Sequence, residues 1–186
     1  MPDTNLLIES TVSSKKVFNG KLLHVFYDEA KLPNGETSSR EWIKHPGASA
    51  IVPVFGNGDV MLINQFRYPA QQIFLEVPAG KIDSGENPHQ TAIRELKEET
   101  GLSTGELHYI GHFFPAIGYA NEVIHIYVAM DLSYEEDATD DDEFVQKERL
   151  PLASAIEMIY SGEINDGKTM CCLLRAQKYL QSINKD

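Results

Sequence analysis

The sequence predicts an α+β fold, an α/β/α sandwich with a mixed central sheet, preceded by an antiparallel strand region over residues 1–46. Three observations predict it. The first third carries alternating strand patterns broken by Asn-Gly turns, the middle holds one well-capped helix, and the end reads as two further helices. In order, Lys21 to Lys31 alternates, with Leu23, Val25 and Tyr27 on one side. Asn19-Gly20 and Asn34-Gly35 are turn signals, the second at a hairpin, and a third strand runs from about Glu36 to His45 until Pro46-Gly47 breaks the chain. Ala48 to Phe55 and Val60 to Arg67 are more apolar and flank Gly56-Asn57-Gly58-Asp59, which reads as a second hairpin. Ile73 to Val77 is a short strand stopped by Pro78. Asn87 is an N-cap, Pro88 suits the first helical position, Gln90 completes a capping box, and Gly101 is a C-terminal stop. Ala92, Ile93 and Leu96 form that helix's apolar face. Strands follow at Leu107 to Phe114 and Val123 to Met130, then helices at Leu152 to Tyr160 and Gly167 to Leu180.

Composition narrows the function. The 186 residues are 42% hydrophobic with a net charge of −12, a profile of a folded chain large enough to bury a core. The charge argues against nucleic acid and anionic membranes as partners, since both need a basic face. No apolar stretch is long enough to span a bilayer, and Met1-Pro2-Asp3-Thr4-Asn5 shows no basic, apolar secretory pattern. The two cysteines, Cys171 and Cys172, are adjacent and unsuited to bridging, so the expected compartment is a reducing cytoplasm.

The helix after Asn87 breaks a local rule. Glu95, Glu98 and Glu99 share one face at spacings of i, i+3 and i+4. Like charges so placed cost about 0.2–0.5 kcal/mol per pair. Glu98 and Glu99 also sit in the last turn, where the helix dipole disfavours anions by about 0.3–1 kcal/mol each. A broken rule of this kind points to function. A hard divalent cation turns the repelling carboxylates into ligands, and Mg²⁺ fits because it takes oxygen donors and leaves positions for water or phosphate.

The surrounding string is Gly80, five residues, Glu86, seven residues, then Arg94-Glu95-Leu96-Lys97-Glu98-Glu99-Thr100-Gly101-Leu102. It resembles the Nudix box, G-x5-E-x7-R-E-U-x-E-E-x-G-U with U aliphatic, at every defined position. Seven fixed letters match by chance at about 10⁻⁸ per window. Arg40 to Gly47, Gln65-Phe66-Arg67-Tyr68-Pro69, Leu75 to Gly80 and Gly162 to Thr169 extend a looser resemblance to the ADP-ribose pyrophosphatase branch of Nudix hydrolases. Pro115 falls two or three positions before the proline usual in that branch, which leaves room for nucleotide sugars other than ADP-ribose.

The resemblance implies metal-dependent hydrolysis of the diphosphate bond of a nucleoside diphosphate sugar, such as ADP-ribose or GDP-mannose, to a nucleoside monophosphate and a sugar phosphate. Mg²⁺ would be the cofactor, with Mn²⁺ able to substitute. Its ligands would be Glu95, Glu98, Glu99 and the carbonyl of Ala79, with Arg94 orienting the carboxylates and Glu86 steadying the loop–helix junction. The catalytic set would be Glu98, Arg94 and a general base, Glu143, with Asp140 and Asp142 as alternatives in the acidic run Glu135 to Glu143. Arg67 and Arg40 are candidates for phosphate or sugar contacts, because guanidinium forks match phosphate oxygens. Trp42 or Tyr27 could stack on a base, and Glu41 and Glu76 could bond base or ribose. The resemblance further implies a homodimer through the N-terminal strands. Hydrolysis of nucleoside triphosphates or dinucleoside polyphosphates, and a non-catalytic nucleotide-sugar-binding module, are the alternatives.

Overall fold

The structure, a computed structural model, describes residues 4–135 and 144–183. It separates into two compact units, one of Met1–Pro46 with Ala116–Glu122 and one of Gly47–Pro115 with Val123–Asp186.

The first unit follows a short 3-10 turn with strands β1 (Ser10–Asn19), β2 (His24–Lys31) and β3 (Thr37–Lys44), an antiparallel sheet in the order β1-β2-β3. Gly35, at φ 89°, makes the β2–β3 turn that Asn34-Gly35 predicts. Ala116–Glu122 adds to this sheet's end: Ile43 N–H donates to the Tyr119 carbonyl (2.8 Å) and His45 N–H to Asn121 Oδ1 (2.8 Å). β1 is the strand that a three-stranded reading with a turn at Asn19-Gly20 requires, although the sequence gives it no bounds. It is exposed along its whole length, and its Ser- and Lys-rich pattern carries no apolar period.

The second unit is built on β4 (Ala48–Pro53), every residue of which is buried. β4 runs parallel to β9 (Ile124–Tyr134) and antiparallel to β7 (Ala79–Lys81), and β8 (Leu102–Phe113) completes the mixed sheet β7-β4-β9-β8. A second sheet, β10-β5-β6, holds β5 (Asp59–Arg67), β6 (Gln72–Glu76) and β10 (Val145–Pro151). The expected hairpin between Ala48 to Phe55 and Val60 to Arg67 is thus only a tight turn. One bridge, Val54 to Val60, holds it, after which the strands part into different sheets.

Helices cover both faces of β4 and β9, as burial on both sides requires. On one face Ala48, Ala50, Val52, Ile124, Ile126 and Val128 pack with residues of α2 (Leu152–Ser161) and α3 (Gly167–Ile183). On the other, Ile51, Tyr127 and Ala129 pack with Ala92 and Leu96 of α1 (Pro88–Thr100). This is the α/β/α sandwich of the sequence reading.

α1 begins and ends where its caps place it. Asn87 Oδ1 accepts the Gln90 N–H (3.0 Å), Gln90 Oε1 accepts the Asn87 N–H (3.0 Å), and Gly101, at φ 67°, donates its N–H to the Lys97 carbonyl (2.8 Å). Ile93, expected on the apolar face, is 44% exposed. Ala92, Leu96 and the carboxylates of Glu95 and Glu99 take the inward stripe instead. Leu96 is fully buried. Leu96→Ala is expected to lower the free energy of unfolding by about 2–5 kcal/mol, read as a shift of the urea midpoint at unchanged m.

Candidate functional site

Two charged clusters lie on either side of the segment joining β6 to α1. The first is on α1 and gathers around Arg94. Its Nε donates to Glu86 Oε1 (2.9 Å). Its Nη1 donates to Glu95 Oε1 (2.7 Å) and Glu98 Oε2 (2.8 Å), and its Nη2 to Glu86 Oε2 (3.1 Å) and the Lys81 carbonyl (3.1 Å). Asp83 lies 3.8 Å from the same guanidinium. Glu95 and Glu99 are 6% and 2% exposed, whereas Glu98 stands at the edge of the cluster.

Glu99 reaches across to β7, where its Oε2 accepts the Ala79 N–H (2.8 Å). The register explains why that N–H is available. Ile51 N–H bonds the Pro78 carbonyl (2.9 Å), so the antiparallel alternation turns the polar groups of Ala79 away from β4. Gly80 follows, and a Cβ there would overlap the Glu95 carboxylate. The glycine of the motif is therefore needed for close approach, which the spacing alone does not reveal.

The charges do not balance around Arg94. Glu86, Glu95 and Glu98 all bond one guanidinium, whose proton is held more tightly than usual, chiefly through Glu86. The Arg94 hydrogen bond, with help from the Thr91 hydroxyl (2.8 Å), holds the Glu86 carboxyl down at about 2. Oxygen-only donors with an excess of negative charge fit a hard divalent cation in chemistry. Among the described residues no three His, Cys, Asp or Glu side chains stand as a finished cage, and Arg94 sits among the carboxylates.

The second cluster joins β5 and β6 to the start of α3. Arg67 grips Glu76 with two parallel bonds, Nε to Oε1 (2.8 Å) and Nη2 to Oε2 (2.7 Å). Lys168 Nζ lies 3.0 Å from Glu76 Oε2 and 3.4 Å from Asp166 Oδ2. Burial pushes the Glu76 carboxyl up, but the Arg67 bonds and the Lys168 charge outweigh it and leave it below the ordinary carboxylate range. Asp166 behaves the same way, with Lys168 and Thr169 opposing burial. Glu76, and more weakly Glu99, raises the Arg67 guanidinium, so the two clusters share one field.

The structure thus brings together Glu95, Glu98, Arg94, Glu99 and Ala79, and separately Arg67 and Glu76. Arg40 and Trp42 stand on β3 of the first unit. Arg40 Nε bonds Glu9 Oε2 (2.9 Å), while Trp42 stacks on Phe26 (4.9 Å between ring centroids) and donates to Asp28 Oδ2 (2.8 Å). Both side chains have partners within the first unit. Glu143, with Asp140 and Asp142, lies outside the described residues. Sequence reasoning gave no role to Asp166, Lys168 and Thr169. Their only signal was that Gly162 to Thr169 looked like part of a known pattern.

Comparison with known proteins gives a consistent picture. A family model described as the NUDIX domain matches residues 44–171. An ADP-ribose pyrophosphatase of Bacillus subtilis is 38% identical over 94% of this chain and 94% of its own length. A methanol dehydrogenase activator of Bacillus methanolicus is 39% identical over 95% and 94%, and a GDP-mannose pyrophosphatase of Salmonella paratyphi B is 31% identical over 98% and 97%. A crystal structure of an ADP compounds hydrolase superposes with a TM-score of 0.83 at 23% identity, covering 96% of this chain and 97% of that one, a likeness of fold.

The Glu86 pairing predicts acid sensitivity with a definite sign. A carboxyl held at about 2 when folded, against 4.5 ordinarily, stabilises the fold above pH 4.5, and that contribution is lost as pH falls toward 2. The melting temperature is expected to drop across this window, and Glu86→Gln to flatten the drop, as followed by circular dichroism.

Proposed function

The chain belongs to the Nudix family, and on that premise we propose that it hydrolyses the diphosphate bond of nucleoside diphosphate sugars such as ADP-ribose and GDP-mannose. The products are a nucleoside monophosphate and a sugar phosphate. The observation that carries this reading is the anionic excess around Arg94 beside Gly80. A helix that buries Glu95 and Glu99 and adds Glu98 to the same guanidinium is suited to divalent-cation chemistry on phosphate. Relatives whose names specify ADP-ribose and GDP-mannose, matched over nearly their whole length, support the substrate class.

Glu95, Glu98 and Glu99 would hold the ion, Mg²⁺ with Mn²⁺ as substitute, together with the Ala79 carbonyl. When bound, such an ion neutralises phosphate charge and lowers the pKa of attacking water. Arg94 fixes the carboxylates by bonding one oxygen each of Glu95 and Glu98. Glu76 holds Arg67 by Nε and Nη2, which leaves Nη1 of a side chain 42% exposed to meet a diphosphate oxygen. Glu143 takes the proton of the attacking water, with Asp140 and Asp142 as alternatives. Arg40 and Trp42 would contact sugar and base. The same reading makes the protein a cytoplasmic homodimer. The exposed β1, with Val12, Val17 and Phe18 uncovered on a three-stranded sheet, supports dimerisation. No helix among the described residues is long and apolar enough to cross a membrane.

The test is a panel of ADP-ribose, GDP-mannose and a nucleoside triphosphate with Mg²⁺, its products identified by mass. Nucleoside monophosphate plus sugar phosphate is expected, and exclusive release of inorganic pyrophosphate from the triphosphate would overturn the substrate assignment. Glu143→Gln is expected to lower kcat by about 10²–10⁴-fold. Glu99→Gln is expected to abolish turnover at any Mg²⁺ concentration that supports the wild type.

A further inference from the structure

The segment Val77-Pro78-Ala79 has its polar backbone groups held from three directions. The Val77 N–H donates to Thr169 Oγ1 (3.0 Å), and the Val77 carbonyl accepts Lys168 Nζ (3.0 Å). The Pro78 carbonyl accepts the Ile51 N–H of β4, and the Ala79 N–H is bound to Glu99. Both bonds to Val77 come from the first turn of α3, about ninety residues away in the chain.

The first turn of α3 is itself ordered for this task. Asp166 Oδ2 accepts both the Thr169 N–H (2.9 Å) and the Thr169 hydroxyl (2.7 Å). With its proton committed to Asp166, the hydroxyl oxygen is left to accept from Val77. Thr169 is fully buried and Val77 almost so, so the arrangement is out of water and directional. α3 does not need these bonds for anchorage: Cys172, Leu173 and Ala176 already bury it against the sheet.

We propose that Thr169 and Lys168 are positioning residues. They set the placement of Val77–Ala79 so that the Ala79 peptide meets Glu99, and through it they set the divalent-ion affinity of the α1 carboxylates. This rests on the reading of α1 as the ion site. The chain of contacts is continuous: Asp166 orients Thr169, Thr169 and Lys168 hold Val77, Pro78 is pinned to β4, and Ala79 orients Glu99. Ligands on metal sites are oriented by such outer bonds, whose loss typically weakens affinity about 10- to 100-fold.

The experiment uses the full chain, with Mn²⁺ alone as the probe in calorimetry and ADP-ribose turnover measured in parallel. Thr169→Val keeps the shape and removes the acceptor. It is expected to raise the Mn²⁺ dissociation constant about tenfold or more, and to lower kcat with KM changed by less than about twofold. Thr169→Ser, which keeps the hydroxyl, is expected to restore both. Ile156→Val, a core change on α2 that removes none of these hydrogen bonds, is expected to leave both unchanged. Lys168→Met is expected to shift Mn²⁺ affinity in the same direction as Thr169→Val, and it decides the matter if Thr169→Val does not fold. Wild-type Mn²⁺ affinity in the hydroxyl-deleted variant, failure of Thr169→Ser to restore it, or an equal loss in Ile156→Val overturns the inference alone. Wild-type protein that takes up no Mn²⁺ overturns both this inference and the ion-site reading.

Discussion

Two carboxylates one helical turn apart, both nearly withdrawn from water, are the constraint around which the second unit is arranged. Glu95 and Glu99 lie in the half of α1 where the helix dipole is least favourable to anions, and Glu98 adds a third. A buried carboxylate without partners costs several kcal/mol or takes up a proton. The local structure supplies what such groups require. Arg94 reaches one oxygen of Glu95, the three-residue strand β7 turns the Ala79 N–H toward Glu99, and Gly80 gives Glu95 room by having no side chain. The capping box and the left-handed Gly101 then fix where the helix starts and stops. The rotation of its carboxylates relative to β7 is set by those same residues.

The two charged clusters differ in their balance of charge. On the α3 side, Arg67 and Lys168 face Glu76 and Asp166, two cations for two anions, with bonds satisfied among themselves. A half-buried, charge-balanced network of this kind fixes geometry and presents Arg67 Nη1 in a set direction. On the α1 side one guanidinium serves three carboxylates, with Glu99 nearby and Asp83 at the rim. An imbalance of this kind, maintained where electrostatics are weakly screened, is the observation that supports the proposed cation site.

The sequence made the α1 cluster legible because its parts are local. Spacing along one helix places Glu95, Glu98 and Glu99 together, and the capping residues give the helix ends to the residue. What it hid is non-local or lacks a pattern. β10 is a mostly exposed run of polar residues and β7 is three residues long, so neither shows a period, and β1, with no buried face, shows no bounds. The turn at Gly56 to Asp59 reads as a hairpin because turn chemistry is local, but which sheet each strand joins is decided by the core on either side. Ile93 reads as inward only if the buried stripe is assumed apolar. On this helix carboxylates occupy part of it. Thr169 and Lys168 bond Val77 across most of the domain, and spacing cannot show that.

The presence of Arg94 inside the cluster proposed to hold a cation follows from the geometry of its side chain. Its Nε and Nη2 bind Glu86, its Nη1 binds one oxygen each of Glu95 and Glu98, and Nη2 also reaches the Lys81 carbonyl, so one residue ties the loop before the helix to two of its carboxylates. A lysine ammonium is a compact charge with three donors and no fixed plane, and it could not meet these partners at once. The guanidinium keeps its charge at every relevant pH, so Glu95 and Glu98 share a fixed cationic partner while the cluster keeps a net negative charge. It grips Glu95 and Glu98 by a single oxygen each, and so orients both while leaving the cluster anionic. Orientation and residual charge are the two properties a divalent-ion site needs from its surroundings, and one arginine among several glutamates supplies them together.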